Sequence, residues 1–203
     1  MKVVILAGGK GTRLSEYTKT IPKPMVKIQK FPIIIYIMKH YAKNGFKDFI
    51  IATGYKKNVI EKYFKRKFFD WNIKLVNTGK ETMTGGRIKR LKKIIKNETF
   101  MLTYGDGLSD VNLKKLLLFH YKNKATVTLT AVRPPARFGA ISLKGNKVTV
   151  FREKSSLDSG WINGGFFVME PEIFKFIKND KTFLEREPMS KLDSKKILIT
   201  ERP

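Results

Sequence analysis

The chain of 203 residues is strongly basic: 42 lysine and arginine residues against 17 aspartate and glutamate residues give a formal net charge of +25. Its length suits one domain with a sizeable core, and the absence of cysteine excludes disulfide bonds and thiolate metal sites. No apolar run is long enough to cross a membrane or to form the hydrophobic part of a secretion signal. We therefore expect a cytoplasmic protein without a membrane partner.

The positive charge makes nucleic acid a candidate partner. The lysines are nevertheless spread along the chain and form neither a basic tail nor a strip with interleaved aromatic residues. Residues 87–96 carry many of these charges, and their apolar members recur at helical spacing, which is typical of the solvated face of an amphipathic helix. We predict no nucleic-acid partner, and a steeply salt-dependent affinity for oligonucleotides would contradict this.

A short apolar run over 2–7 opens the chain and leads directly into a glycine-rich stretch over 8–14. The run predicts a buried strand that turns into a loop. Glycines leave main-chain N–H groups accessible to a phosphate chain, while Thr12 adds a hydroxyl and Lys10 and Arg13 add positive charge. An ordinary glycine turn has the same residues, and the stretch matches neither a P-loop nor a dinucleotide-binding fingerprint.

Helical and strand patterns alternate along the rest of the chain. Helices are predicted over 31–41, around 59–64, over 88–96, from 171 and over 183–194. Strands are predicted over 48–53, 73–76, 100–104, 125–131, 161–169 and 197–200, with a hairpin that joins 140–142 to 148–151. This alternation indicates an α/β fold, with a mainly parallel mixed sheet and helices on both faces, in a single domain over 1–203.

Ligands bind such sheets at the carboxyl ends of the strands. The glycine-rich stretch, residues 78–79 and Asp106 all follow predicted strands, so we expect them to converge. Lys23 lies between two prolines that stiffen the main chain, and Asp106 lies between two glycines. A rigid surface loop and an ordinary turn are the alternative interpretations of these two motifs.

Six further motifs follow the glycine-rich stretch in a fixed order. They are Pro-Lys-Pro-Met at 22–25, Leu-Val-Asn-Thr-Gly at 75–79, Met-Thr-Gly-Gly-Arg at 83–87, Thr-Tyr-Gly-Asp-Gly at 103–107, Arg-Phe-Gly-Ala at 137–140 and Ile-Asn-Gly-Gly-Phe-Phe at 162–167. In this order the motifs resemble those of the sugar-phosphate nucleotidylyltransferases, and within that family the glucose-1-phosphate cytidylyltransferases. The resemblance extends over nearly the whole chain.

This resemblance implies a Rossmann-like nucleotide-diphospho-sugar transferase fold and a reaction. The reaction is Mg²⁺-dependent transfer of CMP from CTP to α-D-glucose 1-phosphate, which gives pyrophosphate and CDP-glucose for surface sugars such as the lipopolysaccharide O-antigen. Two anions must be brought together, so catalysis depends on charge neutralisation and alignment, for which Arg13 and Lys23 are the candidates. Asp106 is the candidate metal ligand.

The family motifs also assign binding residues. The nucleotide is assigned to Leu6, Ala7, Gly8, Gly9, Lys10, Gly11, Thr12, Arg13, Lys23, Thr82, Gly85, Gly86 and Arg87. The sugar phosphate is assigned to Gly139, Glu153, Lys154, Asn163 and Gly164. A glycine-rich helix cap is the alternative interpretation of 83–87, and a strand-end lysine is that of Lys154.

Two departures from the family bear on these expectations. A family segment that contributes to subunit contacts is absent between residues 68 and 72, which leaves homo-oligomerisation open. The chain is also expected to lack the family's C-terminal segment with a second metal-binding aspartate. Transfer with another nucleotide or sugar 1-phosphate, and a non-catalytic nucleotide-sugar binder, are the alternative functions.

Overall fold

A computed structural model describes residues 1–11, 20–65, 70–134, 140–152, 160–194 and 198–201. The strands are β1 (Lys2–Leu6), β2 (Lys27–Ile28), β3 (Phe31–Pro32), β4 (Asp48–Thr53), β5 (Asn72–Asn77), β6 (Phe100–Tyr104), β7 (Val127–Val132), β8 (Ala140–Lys144), β9 (Lys147–Arg152), β10 (Ile162–Met169) and β11 (Leu198–Glu201). The α-helices are α1 (Ile33–Lys43), α2 (Lys57–Phe64), α3 (Thr84–Arg90), α4 (Lys92–Ile95), α5 (Leu113–Asn123) and α6 (Glu187–Ser194). Short 3-10 helices span Lys23–Met25 and Pro171–Phe176. Within the described ranges, no helix is long and apolar enough to cross a membrane.

A seven-stranded sheet with the order β11-β7-β10-β6-β1-β4-β5 forms the centre of the fold. The pairs β1–β4, β1–β6, β4–β5 and β7–β11 are parallel, whereas β10 runs antiparallel to β6 and β7. The predicted mainly parallel mixed sheet is therefore confirmed. The chain proceeds from β1 to β4 and β5 on one side and then places β6 on the other side of β1. This reversal creates a crevice at the carboxyl ends of β1 and β6, which is the usual ligand position in open α/β sheets.

Helices cover both faces of the sheet, as the sequence predicts. One apolar cluster joins β1 to α1 and α5 and includes the fully buried Ile5 and Met101. The other joins β1 to α3 and α4 and includes Val4 and Leu102. Because successive side chains of a strand point to opposite faces, a strand buried on both faces must be apolar throughout, which explains the uninterrupted apolar run of β1.

Three predicted helices have different bounds in the structure. The helix predicted over 88–96 is divided at Leu91 into α3 and α4, although its buried apolar side and exposed lysines are as expected. α1 begins at Ile33, because the two preceding residues pair with β2. α6 begins at Glu187 and not at 183, because proline at position 188 suits the first helical turn, where its missing N–H is not needed. The predicted hairpin is confirmed, with a left-handed Gly145 (φ +59°) in its turn.

Candidate functional site

A cavity of about 230 Å³ opens at the carboxyl ends of β1 and β6. Its lining includes Gly11 from the glycine-rich stretch, Lys23 from the 3-10 helix and Asp106 from the loop after β6. These are three residues that the sequence assigns to one site, and the structure brings them together. The loop at Thr82–Thr84, the last residue of β6 and Phe183 complete much of the remaining wall.

Lys23 and Asp106 form an ion pair at the cavity, with 2.5 Å between Nζ and Oδ2. Both side chains are partly exposed. The flanking Pro24 packs against Gly105, where a Cβ atom would lie 2.8 Å from Cγ of the proline. The Gly105 N–H also donates to the carbonyl of Leu6 at 3.0 Å. The glycine before Asp106 therefore permits the close approach that brings the lysine and the carboxylate together.

The donor set at Asp106 fits a magnesium ion that is completed by its substrates. Lys23 contacts Oδ2, one of the two oxygens of the Asp106 carboxylate. Within the ranges given above, no cluster of three or more His, Cys, Asp or Glu residues could hold a metal ion. Mg²⁺ commonly takes one or two carboxylates and fills its other positions with water and phosphate oxygens. One carboxylate next to the glycine-rich stretch is compatible with that requirement, and Mg²⁺ dependence stays a prediction.

The Arg87 guanidinium forms hydrogen bonds to the glycine-rich stretch and to the carboxyl ends of β4 and β5. Nη2 donates to the carbonyl of Gly8 at 2.8 Å, and Nη1 donates to the carbonyl of Gly79 at 2.7 Å and to Oγ1 of Thr78 at 2.8 Å. The residue is only 3% exposed. Burial, with a further contribution from Arg90, lowers the pKa of Arg87 to about 10. The side chain therefore stays cationic at neutral pH.

Two glycines make room for this guanidinium. A Cβ atom would lie 2.1 Å from Nη1 of Arg87 at Gly8 and 2.4 Å from it at Gly54. The first glycine of the stretch is thus required by an arginine 79 residues further along the chain, in addition to any role in phosphate binding. Arg87 lines the cavity, and its predicted contact with a base stays a prediction.

The start of α3 is covered by the chain segment at 180–184. Gly86 N–H donates to the Thr182 carbonyl at 3.2 Å, and Met83 N–H donates to the Asp180 carbonyl at 2.8 Å. A Cβ atom at Gly86 would lie 2.4 Å from the Asp180 carbonyl oxygen, and one at Gly85 would lie 2.8 Å from that of Thr182. The glycine pair assigned to the base therefore also serves packing against this segment. Thr82, assigned to the nucleotide as well, does line the cavity.

Tyr104 lines the cavity and Glu185 is bonded to it, although the sequence analysis selected neither of them as a site residue. Tyr104, the last residue of β6, lines the cavity, donates to Oε1 of Glu185 at 2.7 Å and accepts from Nδ2 of Asn163 at 3.3 Å. Thr84 donates to Oε2 of Glu185 at 2.7 Å. Burial, followed by the nearby Glu185, raises the pKa of Tyr104 above its ordinary value. Tyr104 could have been selected from the sequence, because it lies close to Asp106 in the motif at 103–107. Glu185 lies in none of the motifs and could not.

The remaining predicted positions divide into two groups. Leu6, Ala7, Gly8 and Gly9 line the cavity, and Lys10 forms an exposed ion pair with Glu81 at 2.9 Å. Asn163 and Gly164 begin β10 next to Tyr104. The other predicted residues lie outside the described residues; they are Thr12, Arg13, Gly139, Glu153 and Lys154.

The model of the family described as nucleotidyl transferase matches residues 2–200. The chain belongs to the nucleotidyl transferase family. This nucleotidyl transferase is 45% identical to the glucose-1-phosphate cytidylyltransferase of Salmonella typhimurium, over 95% of this chain and 84% of the relative. It is 40% identical to the probable glucose-1-phosphate cytidylyltransferase of Bacillus subtilis over the same shares. A D-glycero-alpha-D-manno-heptose 1-phosphate guanylyltransferase of Campylobacter jejuni is 37% identical over 86% of this chain and 78% of the relative.

Solved structures of similar fold support the architecture. HddC from Yersinia pseudotuberculosis complexed with GMP-PN has a TM-score of 0.76 at 24% identity and covers 100% of this chain and 90% of its own. A UDP-glucose pyrophosphorylase complexed with UDP-glucose has a TM-score of 0.71 at 21% identity and covers 95% and 87%. At these identities the likeness concerns the fold alone. It confirms the Rossmann-like α/β class that the sequence motifs imply.

Proposed function

We propose that this nucleotidyl transferase transfers CMP from CTP to α-D-glucose 1-phosphate. A phosphate oxygen of the sugar attacks the α-phosphorus of CTP, the bond from that phosphorus to the bridging oxygen breaks, and pyrophosphate leaves as CDP-glucose forms. The observation that carries the proposal is the convergence of Gly11, Lys23 and Asp106 on one cavity at the strand-order reversal. The names of the relatives at 45% and 40% identity support the choice of nucleotide and sugar.

The chemical task of the site is to hold two anions together and to align them. The glycine-rich stretch offers main-chain N–H groups, and Lys23 offers a cation on a stiff, proline-flanked segment. Arg87 adds a buried positive charge whose hydrogen bonds go to main-chain carbonyls and a hydroxyl. Such preorganised charges favour the transition state, in which the negative charge is redistributed over the transferring phosphoryl group.

Asp106 is the residue that we assign to Mg²⁺, which when bound supplies further neutralisation of phosphate charge. Its ion pair with Lys23 orients the carboxylate and keeps the ammonium group at the cavity. In this assignment the carboxylate faces the metal while Lys23 contacts a substrate phosphate. We further propose that the reaction takes place in the cytoplasm, where nucleoside triphosphates are found, and supplies surface-sugar biosynthesis.

Guanylyl transfer to a sugar 1-phosphate is the second candidate, because relatives with that name are 37% and 32% identical to this chain. A matrix assay separates the two. Purified protein with Mg²⁺ is given each of CTP, UTP, dTTP, GTP and ATP with glucose 1-phosphate or mannose 1-phosphate, and pyrophosphate release and the nucleotide-sugar mass are measured. We expect CTP with glucose 1-phosphate to give the highest kcat/KM.

Three controls make this assay decisive. Chelation of Mg²⁺ is expected to abolish turnover, and Asp106→Asn is expected to lower kcat/KM about 100-fold or more. Asp193→Asn on the exposed side of α6 is expected to leave turnover unchanged. A preference for GTP contradicts the proposed nucleotide. CTP binding without turnover of any pair identifies a non-catalytic binder instead.

A further inference from the structure

Glu185 is bonded to two neutral hydroxyl groups of residues that line the cavity. Oε1 accepts from the Tyr104 hydroxyl and Oε2 accepts from the Thr84 hydroxyl, each at 2.7 Å. Both donors line the cavity, and the glutamate itself is exposed. Across the ranges that the structure describes, no lysine, arginine or histidine forms an ion pair with it, despite the net charge of +25.

The hydrogen-bond directions in this group are fixed. Gly165 N–H donates to Oδ1 of Asn163 at 2.8 Å, so the amide nitrogen of Asn163 faces the Tyr104 hydroxyl. That hydroxyl accepts from the amide and therefore gives its one proton to Glu185. The Thr84 hydroxyl accepts from Leu184 N–H at 2.9 Å and likewise gives its proton to the carboxylate. Each carboxylate oxygen accepts one such bond. Because a carboxylate oxygen can accept more than one hydrogen bond and Glu185 is exposed, it can accept further bonds from a ligand or from solvent.

An exposed carboxylate with unused acceptor capacity, next to a side-chain amide and an aromatic ring, suits a polyhydroxylated ligand. Sugar hydroxyls donate to carboxylates, and apolar C–H surface packs on aromatic rings. Phe183, which lines the cavity and is 38% exposed, supplies the ring. An exocyclic amino group of a base could also donate to Glu185, so position has to decide between the two ligands.

The position of Glu185 favours the sugar. The glycine-rich stretch follows β1, whereas Tyr104 ends β6 and Asn163 begins β10, on the side of β6 away from β1. Glu185 thus bridges this end of β6, through Tyr104, and the start of α3, through Thr84. Asn163 is also one of the residues that the family motifs assign to the sugar phosphate.

We propose that Glu185, oriented by Tyr104 and Thr84, accepts hydrogen bonds from hydroxyl groups of the sugar 1-phosphate and thereby selects the sugar. The inference rests on the proposed function only in taking a sugar 1-phosphate as the second substrate. It holds for whichever nucleotide is transferred. Tyr104 acts as a positioning residue, because its hydroxyl is already used by Glu185 and Asn163.

A thermodynamic cycle, in which the enzyme is changed by Glu185→Gln and the substrate by removal of a hydroxyl group, tests this proposal. Wild type and variant are assayed with the preferred hexose 1-phosphate and with deoxy analogues that each lack one hydroxyl group. The loss of a hydrogen bond to a charged acceptor is expected to raise the KM for the complete sugar about tenfold or more. For the analogue that lacks the contacted hydroxyl, the KM values of the two proteins should differ less than about twofold. The KM for the nucleotide should also differ less than about twofold between them.

Matched variants separate recognition from stability. Glu187→Gln makes the same change two residues away, where the carboxylate pairs with Lys178 and Lys191 on the surface, and should leave every KM unchanged. Tyr104→Phe removes one of the two donors to Glu185 and should raise the KM for the sugar without a comparable effect on the nucleotide. Thermal unfolding of each variant reports any loss of folding.

Several outcomes overturn the proposal. They are an unchanged KM for the sugar in Glu185→Gln, an equal loss with every deoxy analogue, and a selective change in the preference for CTP over UTP, which would assign Glu185 to the base. A wild type that prefers another substrate pair contradicts the proposed function alone, and the cycle is then run with that pair. If no pair turns over, the hexose 1-phosphates are titrated calorimetrically into protein saturated with CTP, and failure of the wild type to bind any of them overturns both proposals.

Discussion

Substitution of Gly8 by alanine tests whether the glycine-rich stretch is shaped by Arg87. A Cβ atom at this position would lie 2.1 Å from Nη1 and 2.4 Å from Cζ of the guanidinium. The guanidinium has little freedom to move, because it is bonded to Thr78 and Gly79 and packed against Gly54. Overpacking of this kind costs about 1–3 kcal/mol, and a displaced guanidinium leaves the Gly79 carbonyl without a charge-assisted hydrogen bond worth about 1.5–3 kcal/mol. We expect a total loss of about 3–5 kcal/mol.

Thermal and urea unfolding measure this loss, and Gly9→Ala is the matched control. A loss of 3 kcal/mol corresponds to a decrease in Tm of at least about 6 °C for a chain of this size. A Cβ atom at Gly9 would meet nothing within 4 Å, so that variant should be as stable as the wild type. In an Arg87→Ala background, Gly8→Ala should cost little further stability, because the clashing group is gone. If Gly8→Ala and Gly9→Ala unfold within 2 °C of each other, the proposed steric conflict is refuted.

Three further predictions concern the proposed metal ligand Asp106, the chain segment that covers the start of α3, and the half-buried Tyr104. Asp106→Asn should lower kcat/KM about 100-fold or more in the pyrophosphate-release assay, while nucleotide affinity without Mg²⁺ stays within about threefold of wild type; wild-type turnover would contradict the assigned role. Gly86→Ala should lower the free energy of unfolding in urea by about 2–4 kcal/mol, since its Cβ atom would meet the Asp180 main chain, whereas Gly107→Ala, with open space around it, should not. The raised pKa of Tyr104 means that the unfolded chain loses this proton near pH 10 while the native protein keeps it, so stability falls as the pH rises through that value. Tyr104→Phe should therefore make the urea midpoint less dependent on pH between pH 9 and 11, and an unchanged slope would count against the assigned environment.

The strands were predictable because their signals are local. Residues 48–53 form an apolar segment between turn-forming residues, and β4 has those same bounds. The division of 88–96 into two helices was not predictable, because its apolar spacing continues through Leu91, and Ile88, Leu91 and Ile95 all pack in one apolar cluster. Convergence of the glycine-rich stretch with Asp106 followed from strand order in an α/β sheet, which needs no side-chain detail.

The contacts that shape the site depend on pairs far apart in the sequence. Arg87 bonds to a carbonyl 79 residues earlier, and Glu185 bonds to a threonine 101 residues earlier. In neither pair does the local sequence around one residue identify the other residue. A buried arginine is visible in the sequence only as one more basic residue among 42, and the segment around Glu185 resembles the start of a helix. Residue types and strand order therefore predicted which residues meet at the cavity, but not the acceptors that hold Arg87 or the donors that hold Glu185.

Charged side chains of both signs lie along the carboxyl edge of the sheet. Arg87 lies by the ends of β1, β4 and β5, the Lys23–Asp106 pair lies between β1 and β6, and Glu185 is bonded to Tyr104 at the end of β6 and to Thr84 at the start of α3. Phosphate oxygens are attracted by Arg87 and Lys23 and repelled by Glu185, whereas neutral sugar hydroxyls are suited to that carboxylate. The proposed orientation of the two substrates therefore keeps the reacting phosphates beside Lys23 and turns the sugar hydroxyls towards Glu185.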